Sequence, residues 1–431
     1  MKVLVIGAYG LIGCGIVHRL RQDGHDVSGF GRNIETAQRV LPDIDWRRAD
    51  LRHMAKATDW APHLEGVKAV VNCSGALQDG PLDDLDAVHH HSVAALAKAC
   101  AAHSVMLVQI SAVGVSSDAD TAFFRTKAQG DAAIRTSGAQ YCILRPGLVL
   151  APHSYGGTAL LRMLAATPVI QPLAIPDAEL QTVSLADVAA VVSAAIDGTF
   201  PDGFEADLVE DTPHTLRDLV RQIRVWLGVR DAKLELVLPQ RLTSLVSGAA
   251  DLLGRLGWRS PVRSTSMRVL ADGVLGQPAD LSAYGLPPMR PLARTLRDMP
   301  ARTEDRLYAR MALLGPVIVA TLALFWFLSG TIAILRANEA ALVLETRGWS
   351  HHWALSSVLF WAVVDIAIAT ALLYRPWAKA ACWAAVLTSL FYLSAATLFA
   401  PQLWADPLGP LVKVLPGIVL AVVARITLET R

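Results

Sequence analysis

The chain is short of charge. Only 18% of its 431 residues are Asp, Glu, Lys or Arg, while 53% are hydrophobic. That balance excludes a disordered chain, and the mean hydropathy of +0.39 is too high for an ordinary soluble enzyme of this length. Charge of one sign is lacking too. The formal net charge of +1 gives no electrostatic footprint for nucleic acid. The five cysteines (Cys14, Cys73, Cys100, Cys142 and Cys382) form no CxxC pair and no Cys/His pair with metal spacing. This pattern fits a reducing compartment, with Cys73, Cys100 and Cys142 as small buried side chains. No basic segment with a cleavage site precedes the first apolar run, so no signal peptide is expected. Finally, no tyrosine occurs between Tyr9 and Tyr141.

What is present divides sharply near residue 310. Beyond it, Met311–Leu335, Trp353–Tyr374 and Ala380–Ala400 are apolar runs with the length of membrane spans. Leu411–Ile426 is a shorter fourth that carries Lys413 and Pro416. Seven of the eleven tryptophans lie in this part, as an interfacial aromatic belt would require. Arg302, Arg306, Arg310, Arg375, Lys379, Arg425 and Arg431 fall on one side of this layout, against Arg336 and Arg347 on the other. Both termini are therefore expected on the cytoplasmic side. Asp365 sits mid-span, where an ionisable group costs about 2.5–3.5 kcal/mol and needs a partner. The readings open for it are a proton or quinone-type site, or a protonated carboxyl bonded to a serine or threonine of a neighbouring span.

Before residue 310, strand-like runs alternate with helical periodicity. The runs are Met1–Ile6, Asp26–Phe30, a stretch ending at Ala49-Asp50-Leu51, Ala69–Gly75, Val105–Ser111 and Tyr141–Gly147. This order implies α/β architecture with a Rossmann-like, doubly wound parallel sheet and a ligand crevice at the strands' carboxyl ends. The first run meets a glycine-rich turn, Gly7-Ala8-Tyr9-Gly10-Leu11-Ile12-Gly13, that opens a helix. Gly7 serves the tight turn, Gly10 the approach of a pyrophosphate, and Gly13 the close packing of helix on strand. About 20 residues on, Gly31-Arg32-Asn33 follows the second run. An acid there would bind a ribose 2′-hydroxyl. Arg32 instead suits a 2′-phosphate, so NADP is favoured over NAD. Asp50 is placed to meet the adenine amine. The run His89-His90-His91 reads as structural or surface histidines, because consecutive helical residues point in different directions.

Gly7–Gly13, Asn72–Gly75, Ser111, Lys127 within Phe123–Asp131, Arg145–Gly147 and Asp187-Val188-Ala189 resemble the extended or atypical short-chain dehydrogenase/reductases, near their NAD(P)H-binding epimerase/dehydratase and respiratory complex I subunit-like branches. The resemblance covers about residues 1–300. It implies cofactor contacts from Gly7, Tyr9, Gly10, Leu11, Ile12, Gly13, Arg32, Asn33, Asp50, Leu51, Ser74, Gly75, Lys127 and Pro146. It implies catalytic roles for Lys127 and Ser111, and a substrate region within Asp207–Arg297, where Leu242–Leu256 is expected to pack as an amphipathic cap. The family's acid/base tyrosine stands four residues before the lysine, and this chain has Phe123 there. A phenyl ring carries no transferable proton. His153, Tyr155 or Lys127 itself are alternative proton donors. The part after residue 310 is similar to the DoxX-like four-helix membrane proteins, through its four-run layout and Leu324-Phe325-Trp326-Phe327-Leu328-Ser329-Gly330.

The expected organisation is a nucleotide-binding and substrate domain over 1–300, a connector over 301–310 and a transmembrane helix domain over 311–426. The expected protein is a multi-pass membrane protein, with its N-terminal domain in the cytoplasm of a bacterium. It binds a nicotinamide dinucleotide and contacts membrane lipids. Two functions remain open: an oxidoreductase for a lipid-soluble substrate or quinone, and a non-catalytic sensor or assembly factor that partners a membrane complex.

Overall fold

The computed structural model describes all residues except 81–82, 155, 259, 408 and 429–431. Tyr155 and Arg431 therefore lie outside the described residues.

The apolar runs of the first part form one seven-stranded sheet. Its strands are β1 (Lys2–Ile6), β2 (Asp26–Gly31), β3 (Asp45–Arg48), β4 (Ala69–Asn72), β5 (Met106–Ile110), β6 (Tyr141–Pro146) and β7 (Phe204–Leu208). All pair parallel, in the order β7-β6-β5-β4-β1-β2-β3. The central strands are apolar at nearly every position because helices cover both faces. Val3 and Val5 of β1 enter one core layer, and Leu4 and Ile6 the other. Helix α1 (Leu11–Gln22) supplies Ile16, Val17 and Leu20 to the first layer. Helix α2 (Ile34–Val40) follows β2. Helix α3 (Ser92–His103) supplies Val93, Leu96 and Cys100 to the second layer, and helix α4 (Ala122–Arg135) carries Lys127. The order of strands reverses between β1 and β4, which opens a crevice at their carboxyl ends.

Sequence reasoning did not find β7. Its Glu205 and Asp207 hide the apolar alternation, and both carboxylates are taken up by Arg145 of β6.

Two compact units are present. One comprises residues 1–251 and 260–309, the other 252–259 and 310–431. The short segment in the second unit belongs to helix α5 (Gln240–Arg255) and the turn after it. The expectation of a packed cap over Leu242–Leu256 is corrected here. Leu242, Leu245, Val246, Leu252 and Leu253 are exposed, while Ser247, Ala250 and Gly254 are buried.

The second unit holds α6 (Thr303–Leu335) from residue 310 onward, α7 (His351–Leu373), α8 (Arg375–Phe399) and α9 (Val414–Thr427). Among the described residues, the first three are long and apolar enough to cross a membrane, and α9 is shorter. Only Tyr374 separates α7 from α8. Arg375 and Lys379 therefore lie in the first turns of α8. Asp365 of α7 is buried. It accepts hydrogen bonds from Ser329 Oγ of α6 at 2.7 Å and from the Tyr392 hydroxyl of α8 at 2.8 Å. Gly330 lets α6 approach this point, since a Cβ there would lie 2.6 Å from Ala362 O.

Candidate functional site

The turn after β1 is built by its glycines. Gly7 has φ +71°, and its N–H donates to Phe30 O at 3.1 Å. The Gly10 N–H returns to Gly7 O at 2.9 Å, and Gly10 is the N-cap of α1 with no capping side chain. The first N–H groups of α1, from Leu11, Ile12 and Gly13, thus lack helical acceptors and face the crevice as an anion site. A Cβ at Gly13 would lie 2.3 Å from Gly7 O, and one at Gly10 3.1 Å from the same oxygen. Any side chain at 13 would push the helix off the strand. This cradle fits a dinucleotide pyrophosphate. It abuts the end of β4, where a Cβ on Gly7 would meet Cys73 O and Ser74 N at 3.1 Å. Ser74 is fixed there by Asn72, whose side-chain oxygen accepts from the Ser74 N–H at 3.1 Å and whose amide donates to Gln109 Oε1 at 2.8 Å.

The adenosine-end candidates are less open than the sequence implied. Tyr9 lies over Gly31, where a Cβ would come within 2.4 Å of its ring, and it also meets Trp46 at 5.9 Å. Arg32 stands at the end of β2 but pairs with Asp83 at 2.7 Å. Asn33 caps α2, accepting from the Thr36 N–H at 3.1 Å. Asp50 caps the short turn Leu51–His53 and pairs with Arg52 at 2.6 Å, which holds its carboxyl below the usual range. Leu51 packs against the second core layer.

Lys127 and Phe123 share one face of α4, one turn apart. The ammonium lies 5.8 Å from the centroid of the phenyl ring, so Phe123 occupies the place expected of the tyrosine. Lys127 is buried, and its Nζ donates to Ile110 O at 3.2 Å. Burial pushes its pKa down, opposed by the Asp131 carboxylate one turn further on. Asp131 Oδ2 accepts from Ser111 Oγ at 2.6 Å, and Oδ1 has no partner among the described residues. Burial pushes the Asp131 carboxyl up, while Ser111 and the Lys127 charge pull it down. Ser111 thus spends its proton on Asp131 rather than offering it to the crevice. A cavity of about 290 Å³ borders this group and is lined by Ser116, Asp131, Arg135 and Arg145 among others.

Sequence reasoning missed Asp131 and His89. The three histidines lie on a π-helical turn, Ala87–His91. The wider turn brings His91 as well as His90 onto Asp86, at 2.9 and 3.2 Å. His89 turns inward instead. Its Nε2 accepts from the Ala76 N–H at 3.1 Å, which leaves the proton on Nδ1 to face Thr126 Oγ1 at 3.0 Å. Burial and the Lys127 charge hold its pKa well below the ordinary value, so it is neutral. Its ring meets the Phe123 edge at 5.6 Å, and a Cβ on Gly75 would lie 3.6 Å from its Nε2. Gly75, His89, Phe123 and Lys127 therefore surround one spot. A sequence signal existed: one histidine of the run had to face the core. Elsewhere, Pro146 is buried at the end of β6, and His153 lies in the loop before the helix Gly157–Ala165.

The NAD(P)H-binding family matches residues 7–199, and the DoxX-like family matches residues 323–422. No curated protein matches the chain. Among solved structures, the triphenylmethane reductase of Citrobacter sp., complexed with NADP(H), is similar. It is 15% identical, with 69% of this chain and all of that one covered, at a TM-score of 0.53. UDP-glucose 4-epimerase of Thermotoga maritima is 15% identical over 56% of this chain and 87% of that one, at a TM-score of 0.46. The Bordetella bronchiseptica enzyme WbmG, in complex with NAD, is 16% identical over 64% and 92%, at 0.45. With the glycine cradle and the parallel sheet, the two family matches show an N-terminal region similar to NAD(P)H-binding domains followed by a C-terminal region similar to the DoxX-like family.

Proposed function

We propose that the protein is a membrane-anchored NAD(P)H-dependent reductase whose acceptor is lipid-soluble and quinone-like. The observation that carries this choice is the Phe123 ring beside Lys127. Reduced nicotinamide, when bound, supplies a hydride. The cradle of Gly7, Gly10 and Gly13 would hold the pyrophosphate, and Lys127 would hold the nicotinamide ribose. Phe123 has no proton to give, His89 is held neutral with its proton turned to Thr126, and Ser111 is committed to Asp131. An acceptor that takes its protons from water after reduction suits this site better than a simple carbonyl. The apolar spans of the same chain favour an acceptor dissolved in the membrane. Arg32 favours NADP over NAD, with Asp83 as its competitor for the 2′-phosphate. The basic residues flanking the spans favour a cytoplasmic nucleotide domain on a bacterial inner membrane.

The same Phe123 favours a second reading, a nucleotide-binding sensor or assembly factor for a membrane complex. Full-length protein in nanodiscs separates the two. NADPH and NADH are titrated, then NADPH consumption is followed with a short-chain quinone. Steady consumption that disappears in Lys127→Met supports the reductase. Tight binding without consumption across a panel of quinones supports the sensor. Failure to bind either nucleotide overturns both.

A further inference from the structure

Helix α5 is built inside out for a soluble protein. Its buried residues, Ser247, Ala250 and Gly254, are small and recur at i, i+3 and i+7. Its large apolar residues point the other way. Leu242, Leu245, Val246, Leu252 and Leu253 recur at i, i+3, i+4, i+10 and i+11, which is one stripe of a helix about 120° wide. Leu245 is 72% exposed and Leu252 61%. Arg241 and Arg255 are exposed beside this stripe, and Asp251 is turned away from it to accept from Arg263 Nε at 3.1 Å. The strand just before the helix, Leu234–Val237, also leaves Leu234, Leu236 and Val237 exposed.

The C-terminal end of α5 lies with the spans. Residues 252–259 belong to the compact unit that holds the spans. Leu256 O accepts from the Arg375 N–H at 3.0 Å, and the Trp258 indole donates to Leu373 O at 2.6 Å. The Arg375 guanidinium lies over the Trp258 ring at 5.5 Å. These contacts are made at the junction of α7 and α8. Helix α7 has 23 residues and so runs about 35 Å, a little more than a bilayer core, which puts its ends at the membrane interface. Exposed Tyr374 and Trp377 mark the same level as interfacial aromatic residues do. The C-terminal end of the stripe, Leu252 and Leu253, therefore lies near the headgroup boundary.

We infer that α5 is an interfacial membrane helix, with Leu242, Leu245, Val246, Leu252 and Leu253 seated in the lipid surface between headgroups and acyl chains. Arg241 and Arg255 flank the stripe as cationic residues do on such helices, where they meet lipid phosphates. A second copy of the chain fits worse. Antiparallel pairing of two such stripes would set Arg241 against Arg255, like charge on like charge. The inference is independent of any catalytic activity.

The test uses full-length protein in nanodiscs of phosphatidylcholine with phosphatidylglycerol. A spin label is placed singly at 242, 244, 245, 248, 249 and 252 through a genetically encoded keto amino acid. Accessibility to oxygen, which partitions into lipid, is compared with that to a water-soluble nickel chelate. Oxygen is expected to dominate at 242, 245, 249 and 252, and nickel at 244 and 248. Nickel dominance at 245 and 252 would overturn the inference. So would spin–spin broadening between copies at those positions, which would assign the stripe to a second protein chain. Because the probed leucines are exposed, labelling them leaves the core intact.

Discussion

Lys127 Nζ lies 5.8 Å from the centre of the Phe123 ring, one helical turn away, in the geometry of a cation–π contact. Such a contact is worth about 0.5–2 kcal/mol. It stabilises the charge of an ammonium whose burial pushes the other way. The phenyl ring is therefore part of what keeps Lys127 in place. Phe123→Tyr would add a phenol without removing that contact. Nucleotide affinity is expected to hold within about twofold, as for a near-isosteric change. Turnover with carbonyl substrates is expected to rise from background and to follow the titration of the new phenol. A pH profile of NADPH consumption, parent against variant, checks this.

The glycine cradle gives a graded prediction. Gly13→Ala places a methyl 2.3 Å from Gly7 O, so backbone must move, at a cost of about 1–3 kcal/mol in stability. Gly10→Ala meets the same oxygen at 3.1 Å, which a few tenths of an ångström relieve. Thermal unfolding should fall clearly for the first and little for the second. NADPH titration should show weaker binding in both, because each crowds the anion site.

Much of this was legible in sequence, for reasons visible in particular residues. Strands β1 and β4 are buried on both faces, so Val3–Ile6 and Ala69–Val71 read as unbroken apolar runs. Gly13 declared itself because no other residue fits against Gly7 O. Strand β7 was hidden because its Glu205 and Asp207 answer arginines that are distant in sequence. His89 was hidden in a run whose members do different work. The outward leucines of α5 were misread because amphipathic periodicity gives a stripe and not the side it faces.

Arg32 and Asp83 make the nucleotide preference testable. Their pair at 2.7 Å must open or share for Arg32 to meet a 2′-phosphate. A charge-assisted hydrogen bond is worth about 1.5–3 kcal/mol, so Arg32→Ala should cost NADPH roughly tenfold or more in affinity. NADH binding should change little. Asp83→Asn, which weakens the competitor, should raise the NADPH preference. Paired titrations of both nucleotides against the three proteins decide it.

His89 ties stability to pH. Its folded pKa lies well below the ordinary 6.5, because burial and Lys127 disfavour the imidazolium. Below pH 6.5 the unfolded chain therefore binds more protons than the folded one at this site. Stability from this residue is full above that pH and is lost as pH falls toward the folded value. The slope is at most about 1.4 kcal/mol per pH unit for one group. His89→Gln has no such titration, although Gln can still accept from the Ala76 N–H. The difference in unfolding midpoint between parent and variant, followed from pH 7.5 to 5, should therefore shrink or reverse on the acid side. A difference that stays constant with pH would mean that His89 titrates alike in both states, and would contradict the buried contacts to Ala76 and Thr126.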